Sequence, residues 1–311
     1  MPPIKPYWRK MSRVRNNLVR VNDILQMGLP SSPPFLKWAG GKRLLVPKLR
    51  EYFSDLGGSY FEPFLGAGAL FINMTNSRQR FGNDANGELI EVYEQVRDNL
   101  PQLIRQLRKF ENTKDAFLEV RMWDRDDSSF KKLAPAKRAA RFIYLNKTCF
   151  NGLYRVNASG QFNVPFGNMS IKDLVNESVL KKTSENFRNT PTVFTSGDFR
   201  LATLKAKPED GVYFDPPYDP LTKTSNFVSY AVDGFSKELQ IALRDEAIRL
   251  TDLGVRVVLS NSSTPFVNDM YENKRFKIEQ IPVRRSIAAA GSSRTPAPEV
   301  IISNLHHLKL R

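Results

Sequence analysis

Short apolar runs that end in turn residues punctuate the chain at residues 59–63, 80–84, 192–196, 211–215 and 255–260, reading SYFEP, RFGND, TVFTS, GVYFD and VRVVLS. Several are apolar on both parities rather than alternating, which is the pattern of strands covered on both faces. Between some of them the apolar spacing changes to three and four. It does so most clearly over residues 88–110 and 237–253, the second opening behind Ser236, a competent N-cap, with Glu238 in its first turn. Strands and helices alternating in this way predict an α/β fold built on an open sheet.

Residues 88–188 break the alternation: they read as mostly helical, with one hairpin-like passage over residues 146–167. The charge there is lopsided. From Ser128 to Ile171 there is no acidic residue, against seven basic ones: Lys131, Lys132, Lys137, Arg138, Arg141, Lys147 and Arg155. A solvated helix face normally mixes signs, so this stretch reads as an anion-binding surface. The sharpest boundary in composition is Leu29-Pro-Ser-Ser-Pro-Pro34, which cannot continue a helix. The expected organisation is a basic arm over 1–34, a sheet domain assembled from 35–87 and 189–311, and an inserted, mainly helical domain over 88–188 that carries a β-hairpin.

Over the whole chain, 47 Lys and Arg against 32 Asp and Glu give a net charge of +15 on 311 residues. Such an excess identifies a polyanionic partner, nucleic acid before a membrane surface, because no apolar run reaches the roughly 18 residues of a membrane span. The first thirty residues are basic but lack the apolar core of a secretion signal. A single cysteine, Cys149, excludes an internal disulfide and a thiolate zinc cluster and fits a reducing cytoplasm. The only histidines, His306 and His307, stand near the C-terminus and read as tail residues rather than metal ligands, so no metal is expected.

Three motifs carry candidate chemistry. Glu62-Pro-Phe-Leu-Gly-Ala-Gly68 follows the first strand and precedes the apolar segment 69–74, a strand-turn-helix setting in which Phe64, Leu65, Gly66 and Gly68 let a ligand approach the backbone. It lacks the third glycine of a dinucleotide fingerprint and the Gly-Lys-Ser/Thr of a P-loop, and taken alone it is also compatible with a tight turn. Asp84, sixteen residues after Gly68 at the end of the second strand, is placed to accept hydrogen bonds from two ribose hydroxyls. Together they suggest an adenosine-containing ligand. Phe35-Leu-Lys-Trp-Ala-Gly-Gly-Lys42 adds Trp38, which can stack on a ring, and Lys42, which can meet a carboxylate; as a packing segment it needs neither role.

The most specific motif is Asp215-Pro-Pro-Tyr218. Pro216 and Pro217 forbid both helix and strand continuation, fixing a carboxylate and a proline carbonyl as an acceptor pair beside the Tyr218 ring. An exocyclic amine on a nucleobase has two N–H donors and a π-face, and the motif matches all three.

With these motifs in this order the chain resembles the Dam family of DNA adenine-N6 methyltransferases, the α-group with Asp-Pro-Pro-Tyr. The resemblance runs from Phe35 to about Asn304 and includes Asn151-Gly-Leu-Tyr-Arg155, Gly160-Gln-Phe-Asn-Val-Pro-Phe-Gly167 and Val283-Arg-Arg-Ser-Ile287. It implies a Rossmann-like sheet that binds S-adenosylmethionine over Phe64, Leu65, Gly66 and Gly68, with Asp84 on the ribose, Trp38, Ala39, Gly40 and Lys42 near the methionine part, Asp198 and Phe199 near the adenine, and Asp215 beside the methyl group. Asp215 and Pro216 would hold the target N6, and Tyr218 would stack on the flipped base. The implied partner is double-stranded DNA at GATC, methylated by a monomer in the cytoplasm of a bacterium or on behalf of a phage. Phe150 and Asn151 would fill the gap left by the flipped adenine. Arg155 and Lys37 would read guanines, Leu153 and Pro165 the thymine methyl, with Lys147 and Asn157 also at the DNA. The family often has Arg-Tyr-Gly-Tyr before Asn-Gly, where this chain has Lys147-Thr-Cys-Phe150, and Asn168 stands where a basic residue is common. The competing readings are an N4-cytosine methyltransferase and an inactive DNA-binding relic. C5-cytosine chemistry is discarded because Cys149 lies in the hairpin, away from any proline-cysteine pair.

Overall fold

A computed structural model describes residues 32–169, 171, 173–220, 235–281 and 298–308. The basic arm up to residue 31 and the Arg284-Arg285 motif lie outside the described residues.

All five expected runs are strands: β1 (Tyr60–Glu62), β2 (Arg80–Asp84), β3 (Thr192–Ser196), β4 (Gly211–Phe214) and β5 (Arg256–Ser262). Two further strands, β6 (Lys277–Ile281) and β7 (Glu299–Ser303), complete a seven-stranded sheet of order β3-β2-β1-β4-β5-β7-β6. The pairings from β3 across to β5 are parallel, whereas β7 runs antiparallel between β5 and β6. Apolarity on both parities has the expected cause. Tyr60, Tyr213, Val258 and Ile301 enter the core on one face, while their neighbours Phe61, Phe214, Leu259 and Ile302 enter the core on the other.

The first core is covered by α1 (Val46–Glu51), α2 (Gly87–Asp98), α3 (Leu100–Leu107) and α7 (Glu177–Asn189). The second is covered by α9 (Lys237–Asp252) and α10 (Pro265–Tyr271). Ser236 caps α9 as expected, accepting from the Leu239 N–H. The single helix expected over 88–110 is two helices broken at Asn99, because Pro101 has no N–H to continue the ladder and is tolerated only in the first turn of a helix. The segment after the glycine turn is another departure. It forms only a 3₁₀ turn (Phe71–Asn73), so the expected helix N-terminus is absent there.

Between α3 and α7 stand α4 (Lys114–Arg121), α5 (Asp127–Lys132) and α6 (Pro135–Thr148). A third, smaller core of Phe117, Val120, Tyr144, Leu145, Cys149, Phe162 and Val164 joins α4 and α6 to the hairpin. Residues 146–148 belong to α6, so the hairpin begins three residues later than expected. Its arms touch through isolated bridges at Cys149 with Phe166 and Val156 with Phe162 rather than a continuous ladder. The buried cation Arg141 holds this unit together: it pairs with Asp124 at 2.7 Å, whose carboxylate accepts the Phe162 N–H at 2.8 Å. Two short helices remain, α8 (Phe199–Ala202) and α11 (Leu305–Leu308). Among the described residues no helix is long and apolar enough to cross a membrane.

Arg80 opens β2 fully buried, its guanidinium pulled down to about 10 by burial. It donates to the carbonyls of Phe71 and Asn186, the Asn186 side chain and the Thr192 hydroxyl, tying β2 to α7 and β3. Arg80→Leu leaves these acceptors orphaned, and the expected loss is about 1–3 kcal/mol. Urea unfolding checks this as a lower midpoint at unchanged slope.

Candidate active site

The strand order reverses direction at β1: the chain steps outward from β1 to β2 to β3, then returns to place β4 on the other side of β1. The loops that leave β1 and β4 must diverge, and the crevice between them lies beyond the carboxyl ends of the strands. The glycine motif follows β1 and Asp215-Pro-Pro-Tyr218 follows β4. Topology therefore brings together two motifs separated by roughly half the chain.

On the β1 side, Gly66 and Gly68 have φ of +47° and +61°, a region costly for residues with a Cβ. Space matters as much. A Cβ on Gly66 would lie 2.8 Å from Trp38, and one on Gly68 would lie 2.8 Å from the Tyr93 hydroxyl, which donates to the Gly66 carbonyl at 2.9 Å. Asp84 accepts from the N–H groups of Gly66 and Asn86, each at 3.0 Å. Burial raises its carboxyl above the ordinary range, and these two N–H groups offset part of that rise. Phe64 stacks on Phe199 with centroids 5.3 Å apart, forming an apolar wall. Asp198 caps α8 and pairs with Arg200, which holds its carboxyl below the ordinary value.

On the β4 side, the Asp215 carboxylate meets the Lys42 ammonium at 2.9 Å. Lys42 also donates to the Gly40 carbonyl at 2.5 Å and lies 4.7 Å from the centre of the Tyr218 ring. Lys42, read from the sequence as a partner for a ligand carboxylate, is thus anchored on the protein's own carboxylate. Burial raises the Asp215 carboxyl above the usual range, and the Lys42 ammonium and Tyr218 hydroxyl oppose the rise. The motif is fixed from behind by residues that the sequence does not single out. Gln240 of α9 donates to the Pro217 carbonyl at 3.0 Å, Asn261 of β5 donates to Gln240 at 3.0 Å, and the Asn261 side chain accepts the Asp219 N–H at 3.1 Å. Among the described residues nothing bonds to the Pro216 carbonyl. Pro216 is buried and Pro217 exposed.

The first glycine motif bridges this crevice and the hairpin. Trp38 packs beside Gly66 and stacks on Tyr154 at 5.8 Å, and Tyr154 stacks on Phe142 at 4.8 Å. Ala39 is half-buried and Gly40 exposed beside it. On the hairpin, Phe150 is 49% exposed and Asn151 has a left-handed φ of +56°. Lys37, Arg155 and Pro165 are exposed, and Leu153 is half-buried against the third core. Arg155 donates to Asn163 at 2.8 Å.

Two of the residues expected at the DNA, Asn157 on the hairpin and Lys147 on α6, make bonds within the fold. Asn157 builds the tip, its Oδ1 accepting the N–H groups of Ser159 and Gln161. Lys147 is buried, donating to the carbonyls of Leu174 and Val175 at 2.8 and 3.3 Å, and burial lowers its ammonium to about 8. Two of the three donors of this ammonium are thus committed inside the fold. Cys149 is also buried, donating to the Leu153 carbonyl at 3.1 Å, and burial pushes its thiol up to about 12, leaving it a poor nucleophile.

The description "D12 class N6 adenine-specific DNA methyltransferase" matches residues 38–287. The chain belongs to this family. It is 42% identical over 284 residues to the type II methyltransferase M1.LlaDCHI of Lactococcus lactis subsp. cremoris, covering 91% of this chain and 99% of that protein. It is 35% identical over 281 residues to the type II methyltransferase M.MjaIII of Methanocaldococcus jannaschii, covering 84% and 94%. It is 34% identical over 267 residues to the DNA adenine methylase of Escherichia coli, covering 86% and 93%. The protein is a DNA methyltransferase of the adenine-N6 class, which removes N4-cytosine as the reaction.

If Asp215 works ionised, its rate falls as pH drops through its raised pKa. Lys42→Met leaves the effect of burial less opposed, so the acid limb of the kcat/KM profile is expected to move to higher pH, while Lys42→Arg keeps it near its original place. An acid limb unmoved by Lys42→Met contradicts this coupling. For Lys147 the sign is opposite to that of a paired cation. The folded state binds fewer protons than the unfolded chain between about pH 8 and the ordinary value of 10.5, so this residue's contribution to stability grows as pH rises through that window. Lys147→Met is expected to abolish that rise, seen in melting temperatures against pH, and to leave the salt slope of DNA binding unchanged.

Proposed function

We propose that the protein transfers a methyl group from S-adenosylmethionine to the N6 of an adenine flipped out of duplex DNA, within GATC. The reading is carried by the meeting of the glycine turn and the Asp215–Pro216 acceptor pair at one crevice. The residues present fit the cofactor: Gly66 and Gly68 hold a left-handed turn close against Trp38 and Tyr93 that keeps its backbone bare of side chains, Asp84 has lone pairs beyond its two backbone bonds, and Phe64 with Phe199 offers a face for a purine. Trp38, Ala39 and Gly40 line the approach from the other side. When bound, S-adenosylmethionine supplies an electrophilic methyl group on a sulfonium.

Asp215 and the Pro216 carbonyl accept the two N6 hydrogens and turn the nitrogen lone pair out of conjugation with the ring. As N6 becomes tetrahedral and partly positive, a buried carboxylate stabilises it more than it did the flat amine. Lys42 holds that carboxylate in place and ionised until the amine arrives. Tyr218 stacks on the base, and Phe150 enters the duplex where the base had been, together offsetting a flipping cost of a few kcal/mol. Arg155 and Lys37 read guanine edges, Asn151 supports the wedge, and Leu153 and Pro165 face the thymine methyl. Residues 88–188 act as the target-recognition domain, with 35–87 and 189–311 as the catalytic domain. The excess of positive charge, including the arm over 1–34, adds phosphate contacts that weaken with salt. The enzyme works as a monomer in the cytoplasm, where its DNA is.

Labelled S-adenosylmethionine and duplexes with or without GATC test the reading after digestion to nucleosides. N6-methyladenine is expected on the GATC duplex alone and is lost with Asp215→Ala. Equal methylation of both duplexes contradicts the assigned site. Gly66→Ala introduces a strained φ costing about 1–2 kcal/mol and a clash with Trp38, so cofactor affinity is expected to fall about tenfold by titration calorimetry.

A further inference from the structure

Asn146, near the end of α6, is 1% exposed, and its amide joins three groups distant in sequence or in local structure. Its Oδ1 accepts the Lys37 N–H at 2.9 Å, and its Nδ2 donates to the Lys37 carbonyl at 2.7 Å and to the Gly152 carbonyl at 3.2 Å. One side chain thus takes both backbone groups of Lys37, as a neighbouring strand would, and closes on the turn that carries Phe150 and Asn151. Gly152 completes the joint. Its φ is +64°, and a Cβ there would lie 2.5 Å from both Cβ and Cδ of Lys37, so the lysine stem rests against a bare Cα. Lys37 is exposed, as is Phe150 two residues before Gly152.

We propose that Asn146 is a positioning residue for base readout: it fixes the Lys37 backbone against the Phe150–Gly152 turn, so that the Lys37 ammonium and the Phe150 wedge engage one duplex in register. The inference rests on the DNA-facing reading of Lys37 and the hairpin given above. A lysine is a point charge on a flexible stem that finds a phosphate from many backbone positions, whereas a base edge demands one. Fixing the backbone of Lys37 therefore serves discrimination more than affinity. A buried amide that only satisfied its neighbours would serve stability alone.

Two variants separate these roles. N146D keeps the acceptor for the Lys37 N–H but sets a carboxylate against two carbonyls; G152A keeps Asn146 and displaces the lysine stem. Each is made alone and with K37A, and kcat/KM is measured on a GATC duplex and on one with a single guanine pair replaced, with melting temperatures alongside. Both variants are expected to reduce discrimination about tenfold, chiefly through KM, as loss of one base contact does. In the K37A background neither is expected to reduce it further. Equal falls on both duplexes, or losses that add in full to that of K37A, overturn the proposal. A wild-type enzyme that methylates both duplexes equally overturns the reading beneath it, a result that the variants alone cannot produce.

Discussion

β1 pairs in parallel with β2 on one side and β4 on the other, and this constraint orders the rest of the molecule. Strands with parallel neighbours on both sides release their following loops at the same edge, and here those loops must part because the chain continues to opposite sides. A crevice results without any residue being placed to create it. The left-handed glycines let the β1 loop fold back toward Trp38 and Tyr93, and the paired prolines stop β4 so that Asp215 stands at the rim. The two cores that cover the sheet keep this edge rigid from both faces.

Electrostatics at the rim is a balance between burial and pairing. Asp215 is costly to ionise in its surroundings, and Lys42 supplies the compensating charge from a segment preceding β1. Because the same segment carries Trp38 beside the glycine turn and Lys37 beside the hairpin, one short stretch touches all three parts of the site. Gln240 and Asn261 hold the far side of Asp215-Pro-Pro-Tyr218, Gln240 occupying the Pro217 carbonyl, while among the described residues nothing bonds to the neighbouring one. Such fixed acceptors need little reorganisation as charge develops, the condition under which they contribute most to rate.

Much of this was legible in the sequence because it rests on local rules. The strands β1 to β5 announce themselves by apolar runs ending at turns, and Asp215-Pro-Pro-Tyr218 by its improbable stiffness. What escaped depends on distance in the chain. β7 inserts between β5 and β6, an order that no local pattern encodes. Tyr93, Gln240 and Asn261 look like ordinary helix or strand residues until folding aims them at the loops. Apolar content after the glycine turn suggested a helix, but the segment closes as one 3₁₀ turn that packs Phe71 into the core. The burial of Lys147 was not legible for a related reason: its charge argued for a surface, and the fold gave its ammonium two carbonyls inside.

Methyl transfer at N6 requires that the acceptor pair after β4 receive a base that has left the duplex. Replacing the target adenine of a GATC duplex by 2-aminopurine, whose fluorescence rises on unstacking, tests it directly when binding is followed in parallel by anisotropy. Fluorescence is expected to rise on binding, and only with GATC. Saturated binding at GATC with fluorescence unchanged from free duplex, in both wild type and Tyr218→Ala, would contradict it, because the adenine would then be stacked in the helix and out of reach of Asp215.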